Sequence, residues 1–439
     1  MEKDDTPVDT LIYLGGAIAF FALVMASIAL HEVGHLVPGK QFGVKTTQYF
    51  VGFGRTLWSR RRGETEYGVK AIPLGGYVRF VGMYPPSRNR PGQVRAARTG
   101  IFQTMADNAR AAEWETIQPS DDGRLFYQKK PWQKIIIMAG GPTMNLLLAF
   151  LILLTVSASY GVYRSQMTIN RVQECIVPVN ATDKSCTGKP PTPAVLSGIQ
   201  TGDRVVAFNG VPVQDWDDVS RLIRANLDRP AQLSVERAGA RVELPPVNTV
   251  ITGVPDRYDP AKRVAAGFFG VEPAVIRERG GPVSVLGDMW TMTRQTAVAL
   301  VQFPVKVYYT AYNLVTGKPR DIYGPMSIVG ASRAAGEIAA TDQIDAPAKV
   351  ATMFTVLGSV NLFVALFNFV PLLPLDGGHI AGALYEALKR ALARVFRQPD
   401  PGHVDTAKML PVAYAVGGVI LVSGIVLILA DIITPITLF

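Results

Sequence analysis

The sequence predicts a membrane protein with an α-helical core of four transmembrane spans and soluble segments between them. Its 439 residues are 48% hydrophobic and only 18% charged, and the mean hydropathy is +0.20. These values argue against an ordinary soluble enzyme and against a disordered chain. The chain is nevertheless too polar to consist of membrane helices alone. The spans are predicted from four apolar runs, at residues 11–30, 135–160, 350–375 and 410–429.

The first run has the length of a single membrane crossing and contains no charged residue. A helix of this length covers about 30 Å, the thickness of a hydrocarbon core. A further apolar stretch at residues 285–314 is different, because Asp288, Arg294 and Lys306 interrupt it and Pro304 would kink it. That stretch predicts an amphipathic helix lying on the membrane, not a fifth span.

Positive charge is concentrated in two of the segments between the runs. The chain carries a net charge of +9, with basic residues crowded at 38–131 and again after the third run. By the positive-inside rule both segments are cytoplasmic. The N-terminus, residues 161–349 and the C-terminus are then extracytoplasmic. Because topology accounts for the basic residues, no nucleic-acid partner is predicted.

The first span runs directly into the pentapeptide HEVGH, which holds two of the four histidines in the chain. His31 and His35 are four residues apart and share one helix face, so both imidazoles can reach one metal ion. Glu32 between them is the usual general base that activates water for hydrolysis. The alternative, satisfied polar residues at a helix end, is disfavoured because polar groups beside an apolar run are expensive and default to function. The two cysteines are too few for a cysteine zinc cluster.

A catalytic zinc site needs a third protein ligand and one open position. The third run ends in NFVPLLPLDGGH at residues 368–379. Its two prolines break the helix, which is tolerated at membrane depth where the backbone is buried or lines a cavity. The predicted topology brings the end of this run to the same side as His31 and His35. Asp376 and His379 both remain possible third ligands on these grounds.

The combination of HEVGH at the end of a first span with PLDGGH at the end of a later one resembles the site-2 proteases, which are intramembrane zinc metalloproteases. The RseP-type bacterial branch is the most similar. Further segments resemble the family: VGFG and IPLGGYV its membrane-associated β-hairpin region, GGPTMN its GPxxN motif, and YGPMSI the GP segment before the third span. They lie at residues 51–54, 72–78, 140–145 and 323–328.

The resemblance implies a role for each site residue. His31, His35 and Asp376 are the implied ligands of Zn²⁺, and Glu32 is the implied catalytic base. Asn368 matches a family asparagine that helps to position the substrate, and Asn145 is a second candidate for that role.

One segment between the second and third runs resembles a PDZ domain. Residues 194–210 read as turn, strand and turn, residues 217–227 as a helix, and residues 231–236 and 240–244 as strands around a glycine turn. Gram-negative members of the family carry two such domains, and the single one here resembles the actinobacterial type. PDZ grooves bind extended peptide by strand addition, and a purely steric role stays open. An oxidising exterior favours a disulfide between Cys175 and Cys186, with two free thiols as the alternative.

The implied function is the hydrolysis of peptide bonds in transmembrane segments of single-span proteins, known as regulated intramembrane proteolysis. Anti-sigma factors and remnant signal peptides are the implied substrates, in a bacterial plasma membrane with the PDZ domain and both termini outside. The substrate helix must unwind first, and strand addition near residues 75–78 is expected to hold the unwound form. Two rival functions are a proton-coupled transporter that uses its histidines and aspartate as a relay and an inactive PDZ scaffold.

The expected layout places the active-site motifs on membrane segments and the PDZ domain in the longest loop. Residues 85–128 carry no recognisable chemistry and are predicted to be a linker or regulatory loop, with helical periodicity at 95–115. In order, the segments are the first transmembrane helix (1–37), a cytoplasmic region with the β-hairpin (38–131), the second transmembrane helix (132–160), the PDZ domain (161–275), extracytoplasmic amphipathic helices (276–349), the third transmembrane segment (350–380), a cytoplasmic loop (381–408) and the fourth transmembrane helix (409–435).

Overall fold

A computed structural model describes residues 7–85, 117–177, 185–255 and 263–438. The chain forms two compact units. The first comprises Met1–Val156, Gly281–Leu314 and Gly324–Phe439, and the second comprises Ser157–Gly280 and Val315–Tyr323. The helical periodicity predicted at residues 95–115 lies outside the described residues.

The helices and strands of the described residues follow one another in a simple order. The helices are α1 (Pro7–Gln41), α2 (Pro131–Ser159), α3 (Pro193–Ser197), α4 (Trp216–Asn226), α5 (Pro282–Thr316), α6 (Ile328–Ala340), α7 (Ala346–Asn368), α8 (Asp376–Val395) and α9 (Leu410–Ile433). The strands are β1 (Thr46–Arg62), β2 (Thr65–Phe80), β3 (Val162–Val172), β4 (Arg204–Phe208), β5 (Val211–Pro212), β6 (Pro230–Ala231), β7 (Leu233–Arg237), β8 (Ala240–Glu243), β9 (Val247–Asn248), β10 (Val250–Pro255), β11 (Arg263–Phe268) and β12 (Val271–Glu278).

Four helical segments of the described residues are long and apolar enough to cross a membrane, which confirms the four predicted spans. They are Val8–Gln41, Pro131–Ser159, Ala346–Asn368 and Thr406–Ile433. The first is longer than its apolar run because the HEVGH motif continues the same helix. The stretch at residues 285–314 forms the single helix α5, with Pro304 inside it.

The third segment is broken where the sequence has two prolines. The structure ends α7 at Asn368 and starts a new helix at Asp376, which continues into residues 381–408, the predicted cytoplasmic loop between the third and fourth spans. Pro371 and Pro374 lie in the gap between the two helices. Proline ends a helix because it lacks the N–H donor and clashes with the preceding turn.

The new helix α8 occupies much of the predicted loop. It runs for 20 residues to Val395, and its buried side chains Ala383, Glu386 and Ala393 recur at helical spacing. Basic residues of this stretch, among them Lys389 and Arg390, predicted that it lies in the cytoplasm. They belong to an amphipathic helix.

The hairpin β1–β2 is a long antiparallel ribbon that follows α1. Its register closes at Arg62 opposite Thr65, and Gly63 takes a φ of +64° in the turn, a conformation that glycine adopts without steric cost. The tyrosine hydroxyl of Tyr49 donates to the carbonyl of Ala29 at 2.9 Å, which ties the ribbon to α1 close to the HEVGH motif.

The second unit is built around an antiparallel sheet with the strand order β12-β3-β4-β7-β8. Helix α4 begins at the cap residue Asp215, whose side chain accepts from the backbone N–H of Asp218. Its buried face packs into a core that includes Val205, Val219, Ile223, Leu233 and Phe269. A disulfide joins Cys175 to Cys186 in the same unit.

Candidate metal centre

The HEVGH motif lies near the C-terminal end of α1, where regular helical geometry aligns its two histidines. The Nε2 atoms of His31 and His35 are 3.2 Å apart. Both side chains are buried, as is Glu32, which is 8% exposed. Such a concentration of buried polar groups requires compensating partners, because an unpaired buried polar group is costly.

Asp376 comes from the first turn of α8 and meets both histidines. Its Oδ2 atom lies 3.4 Å from Nε2 of His31 and 3.3 Å from Nε2 of His35. Among the residues that the structure describes, these three form the group of His, Cys, Asp and Glu able to hold a metal ion, with ligand atoms within 4.8 Å of one another. His379, one turn further along α8, is not part of this group.

The contact made by Nδ1 of His35, the ring nitrogen that faces away from the metal group, shows where this ring carries a proton. Nδ1 of His35 lies 2.8 Å from the carbonyl oxygen of Ile137 on α2. A carbonyl only accepts, so Nδ1 carries a proton, and a neutral His35 ring would present the lone pair of Nε2 to the site. This pattern, a ligand histidine oriented by a backbone carbonyl, is typical of metal centres.

The arrangement fits a metal ion with nitrogen and oxygen ligands. Within the described part of the chain, Oδ2 of Asp376 is buried and has no hydrogen-bond partner, and the Nε2 atoms of His31 and His35 lie 3.4 Å and 3.3 Å from it. Two imidazole nitrogens and a carboxylate oxygen therefore converge with lone pairs that only a cation or a proton can satisfy. Two histidines and one carboxylate are also a donor set of catalytic zinc sites that keep one coordination position open.

Helix α2 approaches the two imidazoles closely because it presents glycine. A Cβ atom placed on Gly141 would lie 2.6 Å from Nε2 of His31 and would also overlap Nε2 of His35. Next to this contact, Gly34 of HEVGH faces Gly140 of α2, and a Cβ on Gly34 would lie 2.7 Å from the carbonyl carbon of Gly140. Small residues of this kind let two membrane helices bring their backbones together.

Glu32 faces the β-hairpin. A Cβ placed on Gly76 of β2 would lie 2.8 Å from Cγ and 3.4 Å from Oε1 of Glu32. The carboxylate is therefore bordered by bare strand backbone. In the described residues β2 pairs with β1 alone, so its other edge carries backbone groups that an added strand could pair with.

The start of α8 is folded tightly onto the turn that precedes it, and this sets the position of Asp376. A Cβ on Gly378 would lie 2.7 Å from the carbonyl carbon of Leu372, and one on Gly377 would overlap the carbonyl oxygens of Phe369 and Val370. Only glycine fits at both positions. The double glycine of PLDGGH therefore has a packing reason that the sequence analysis did not give.

The two candidate asparagines have different surroundings. Asn145 is 1% exposed, and its Oδ1 atom has no hydrogen-bond partner in the described residues. It lies one turn beyond Gly141 on α2. Asn368 is the last residue of α7 and is half-buried.

Some contributions to the site were missed in the sequence analysis. The carbonyl of Ile137 leaves no trace in side-chain chemistry, so no sequence signal points to it. The glycine pair at 140–141 in the middle of an apolar helix was noted only as part of a motif. An interior glycine pair in such a helix is a signal for close helix packing.

Comparison with known proteins finds similarity to zinc metalloproteases over nearly the whole chain. Residues 19–398 match the profile of peptidase family M50. The zinc metalloprotease Rip1 of Mycobacterium tuberculosis is 31% identical over 456 residues, which cover 98% of this chain and 100% of that protein. Rip1 of Mycolicibacterium smegmatis is 31% identical over 97% of this chain and 98% of its own length. The metalloprotease MmpA of Caulobacter vibrioides is 26% identical over 87% of this chain and 89% of its own.

Proposed function

The chain belongs to peptidase family M50, the site-2 proteases, and we propose that it cleaves single-span membrane proteins within their transmembrane segments. Membership makes it a membrane-embedded, zinc-dependent metalloprotease, which sets aside the transporter and scaffold alternatives. The observation that carries the proposal is the group His31, His35 and Asp376, whose two histidines are buried, formed at the end of a helix long and apolar enough to span a membrane.

The proposed zinc ligands are His31, His35 and Asp376. Zinc bound there would polarise the scissile carbonyl and acidify a water molecule. The proton on Nδ1 of His35 is held by the Ile137 carbonyl. This contact favours the tautomer in which Nε2 has the lone pair that binds zinc. Asp376 adds the negative charge that two neutral imidazoles lack.

Glu32 is the proposed general base. Its carboxylate takes a proton from the attacking water and gives it to the amide nitrogen that leaves, so one group serves both steps. Its burial excludes bulk water from this exchange. The carboxylate can reach a substrate because Gly76 presents no side chain between them.

The substrate is proposed to bind as an added strand along β2 near residues 75–78. A transmembrane helix hides its peptide bonds in internal hydrogen bonds, so cleavage needs local unwinding. The edge of β2 away from β1 offers backbone groups that replace those bonds. Asn368 and Asn145 are proposed to help position the unwound segment. Anti-sigma factors and remnant signal peptides are the proposed substrate classes.

This function is tested in lipid vesicles with purified full-length protein and a single-span test substrate. We expect cleavage inside the transmembrane segment, loss of cleavage with a zinc chelator, and recovery when zinc is added back. Cleavage only outside the apolar segment, or full activity in the presence of the chelator, would contradict the proposal.

Alanine at Gly141 is expected to weaken zinc binding by about tenfold or more, comparable to other changes that displace a ligand. The added Cβ would stand 2.6 Å from Nε2 of His31, so at least one imidazole must move. Chelator competition measures the dissociation constant. Gly15→Ala in α1 is the matched control, because its Cβ would meet no atom within 4 Å. Zinc affinity equal to wild type in Gly141→Ala would contradict the proposed site.

The second unit is proposed to be a single PDZ domain outside the cytoplasm, with both termini on the same side. Its support is the six-stranded antiparallel sheet with α4 packed on it, together with a disulfide, which persists in oxidising compartments. Strand β12 lies at one edge of this sheet and is the proposed place of peptide addition. The basic loops are proposed to be cytoplasmic.

A map of single-cysteine accessibility in intact cells tests this topology in the variant Cys175→Ser/Cys186→Ser. Cysteines at Arg61 and Arg394 should react only after the membrane is made permeable. A cysteine at Asp217, which is on α4 of the second unit, should react in intact cells with a reagent that does not cross the membrane. The reverse pattern at Asp217 would overturn the proposed orientation.

A further inference from the structure

A buried ion cluster joins the first turn of α2 to the middle of α8. Nζ of Lys134 lies 2.9 Å from Oε2 of Glu386, with the two side chains 7% and 2% exposed. Arg390 approaches Oε1 at 3.0 Å, and Nδ1 of His403 lies 3.2 Å from the same atom. The backbone N–H of Val404 donates to Oε2 at 3.2 Å. The carboxylate of Glu386 is thus surrounded by four polar partners from three parts of the chain.

This carboxylate keeps its charge despite its burial. Burial alone raises the pKa of Glu386, but the hydrogen bonds from His403 and Lys134 and the charge of Lys134 outweigh it and lower the pKa to about 2. The carboxylate of Glu386 is therefore ionised at any physiological pH. Charge-assisted hydrogen bonds of this kind are short and directional.

Both helices that meet in the cluster also contribute to the proposed zinc site. Lys134 lies three residues before Ile137, whose carbonyl orients His35, and seven before Gly141, which backs both imidazoles. These spacings place all three on one face of α2. Glu386 follows Asp376 by ten residues on α8, about 15 Å along the helix axis at 1.5 Å per residue. At that distance the cluster does not touch the reacting atoms.

A buried ion pair is a poor way to gain stability, since apolar residues of similar volume often stabilise a protein as well or better. What the ion pair adds is a defined position of one helix relative to the other. Apolar helix contacts permit small shifts along the axis, whereas a carboxylate held by several polar partners fixes one register between two helices. Metal ligands need such support, because they must be held within about 0.5 Å of the productive geometry.

We propose that Lys134 and Glu386 are positioning residues for the zinc site, which hold α8 against α2 so that Asp376 meets His31 and His35. This inference rests on the proposed function, because it assumes that these three residues bind zinc. It assigns no contact with substrate to either residue. The expected signature is therefore weakened zinc binding that exceeds any general loss of stability.

The test measures the zinc dissociation constant of purified full-length protein by chelator competition, together with the thermal unfolding midpoint. Glu386→Gln and Lys134→Met should each raise the dissociation constant by about tenfold or more, the usual effect of losing a group that supports a ligand. Lys134→Arg keeps the charge and should restore binding to within about threefold of wild type.

Asp121→Asn is the matched control. It breaks another buried ion pair, in which Asp121 is 3% exposed and 2.7 Å from Lys45, and neither residue lies on a helix that carries a proposed ligand. Asp121→Asn should lower the unfolding midpoint and leave zinc affinity within about twofold, since distant sites act independently.

Three results would overturn the proposal. One is zinc affinity within about twofold of wild type in both Glu386→Gln and Lys134→Met, below the effect of losing a supporting group. Another is an equal loss of affinity in Asp121→Asn, which would make the effect one of general stability. The third is equal zinc binding by wild type and His31→Ala. That result overturns the proposed zinc site as well, whereas the first two leave the site intact.

Discussion

Glu32→Gln is expected to lower kcat by about 10²–10⁴-fold, the usual contribution of a general base. Glutamine matches glutamate in shape but cannot accept a proton from water at neutral pH. The Glu32 side chain is buried beside Gly76. Among the described residues the metal group consists of His31, His35 and Asp376, so Glu32 is not one of its members. The rate is measured as initial cleavage of a single-span substrate in vesicles.

Two further measurements keep this prediction specific. Zinc affinity of Glu32→Gln should stay within about threefold of wild type, because the proposed role of this residue is proton transfer and not coordination. Glu64→Gln is a matched carboxylate-to-amide change at an exposed position. Glu64 forms an ion pair with Arg124, and the two side chains are 37% and 42% exposed, respectively. It should leave the rate unchanged. Retention of full activity by Glu32→Gln would remove this residue from the mechanism.

Asp376→Ala is expected to abolish detectable cleavage and to raise the zinc dissociation constant by about 10²-fold or more, beyond the effect of losing a supporting group. Asp376 is the one anionic member of the group formed with His31 and His35. Its removal leaves two neutral imidazoles, which bind zinc more weakly than three protein ligands. Chelator competition and the vesicle assay measure both quantities.

His379→Ala separates the two candidate third ligands. His379 lies outside the group that the structure brings together among the described residues, so its removal should leave zinc affinity within about threefold, as expected for a residue that does not coordinate the metal. If His379→Ala lost zinc while Asp376→Ala retained it, the proposed ligand set would be wrong.

The sequence was most informative where chemistry is local. The pair His31 and His35 can be placed on one helix face from their spacing alone, because helical periodicity fixes it. The four apolar helices follow from run length, since a membrane crossing sets a minimum. Family membership and dependence on zinc, both confirmed by the comparisons, rested on motifs at the ends of these helices.

The third member of the group could not be placed from spacing. Asp376 is separated from the histidines by most of the chain, and the residues alone left His379 as a competing candidate. The structure brings Asp376 beside the two histidines, because two prolines end α7 and the glycines at 377–378 let α8 fold back on the preceding turn. Such packing depends on contacts between distant segments, which local patterns do not encode.

The supporting contacts were also invisible in the sequence. The carbonyl of Ile137 belongs to the backbone, and Glu386 lay in a stretch whose basic residues predicted only a cytoplasmic segment between two spans. In the structure Glu386 is a buried residue of α8 that meets Lys134 across 252 residues of sequence. Charge read along a chain favours solvent exposure, and burial of this carboxylate is acceptable because Lys134 on α2 and the other groups around it pair with its charge.

X-ray absorption at the zinc edge of purified Glu32→Gln protein tests the proposed zinc ligands directly, because it reports the atoms bound to the metal. A site formed by His31, His35 and Asp376 predicts two imidazole nitrogens with oxygen ligands at about 2.0–2.2 Å and no sulfur. In the double variant Glu32→Gln/Asp376→Ala zinc should be lost, or the oxygen contribution should fall. A spectrum with three imidazoles, unchanged when Asp376 is replaced, would contradict a zinc site formed by His31, His35 and Asp376.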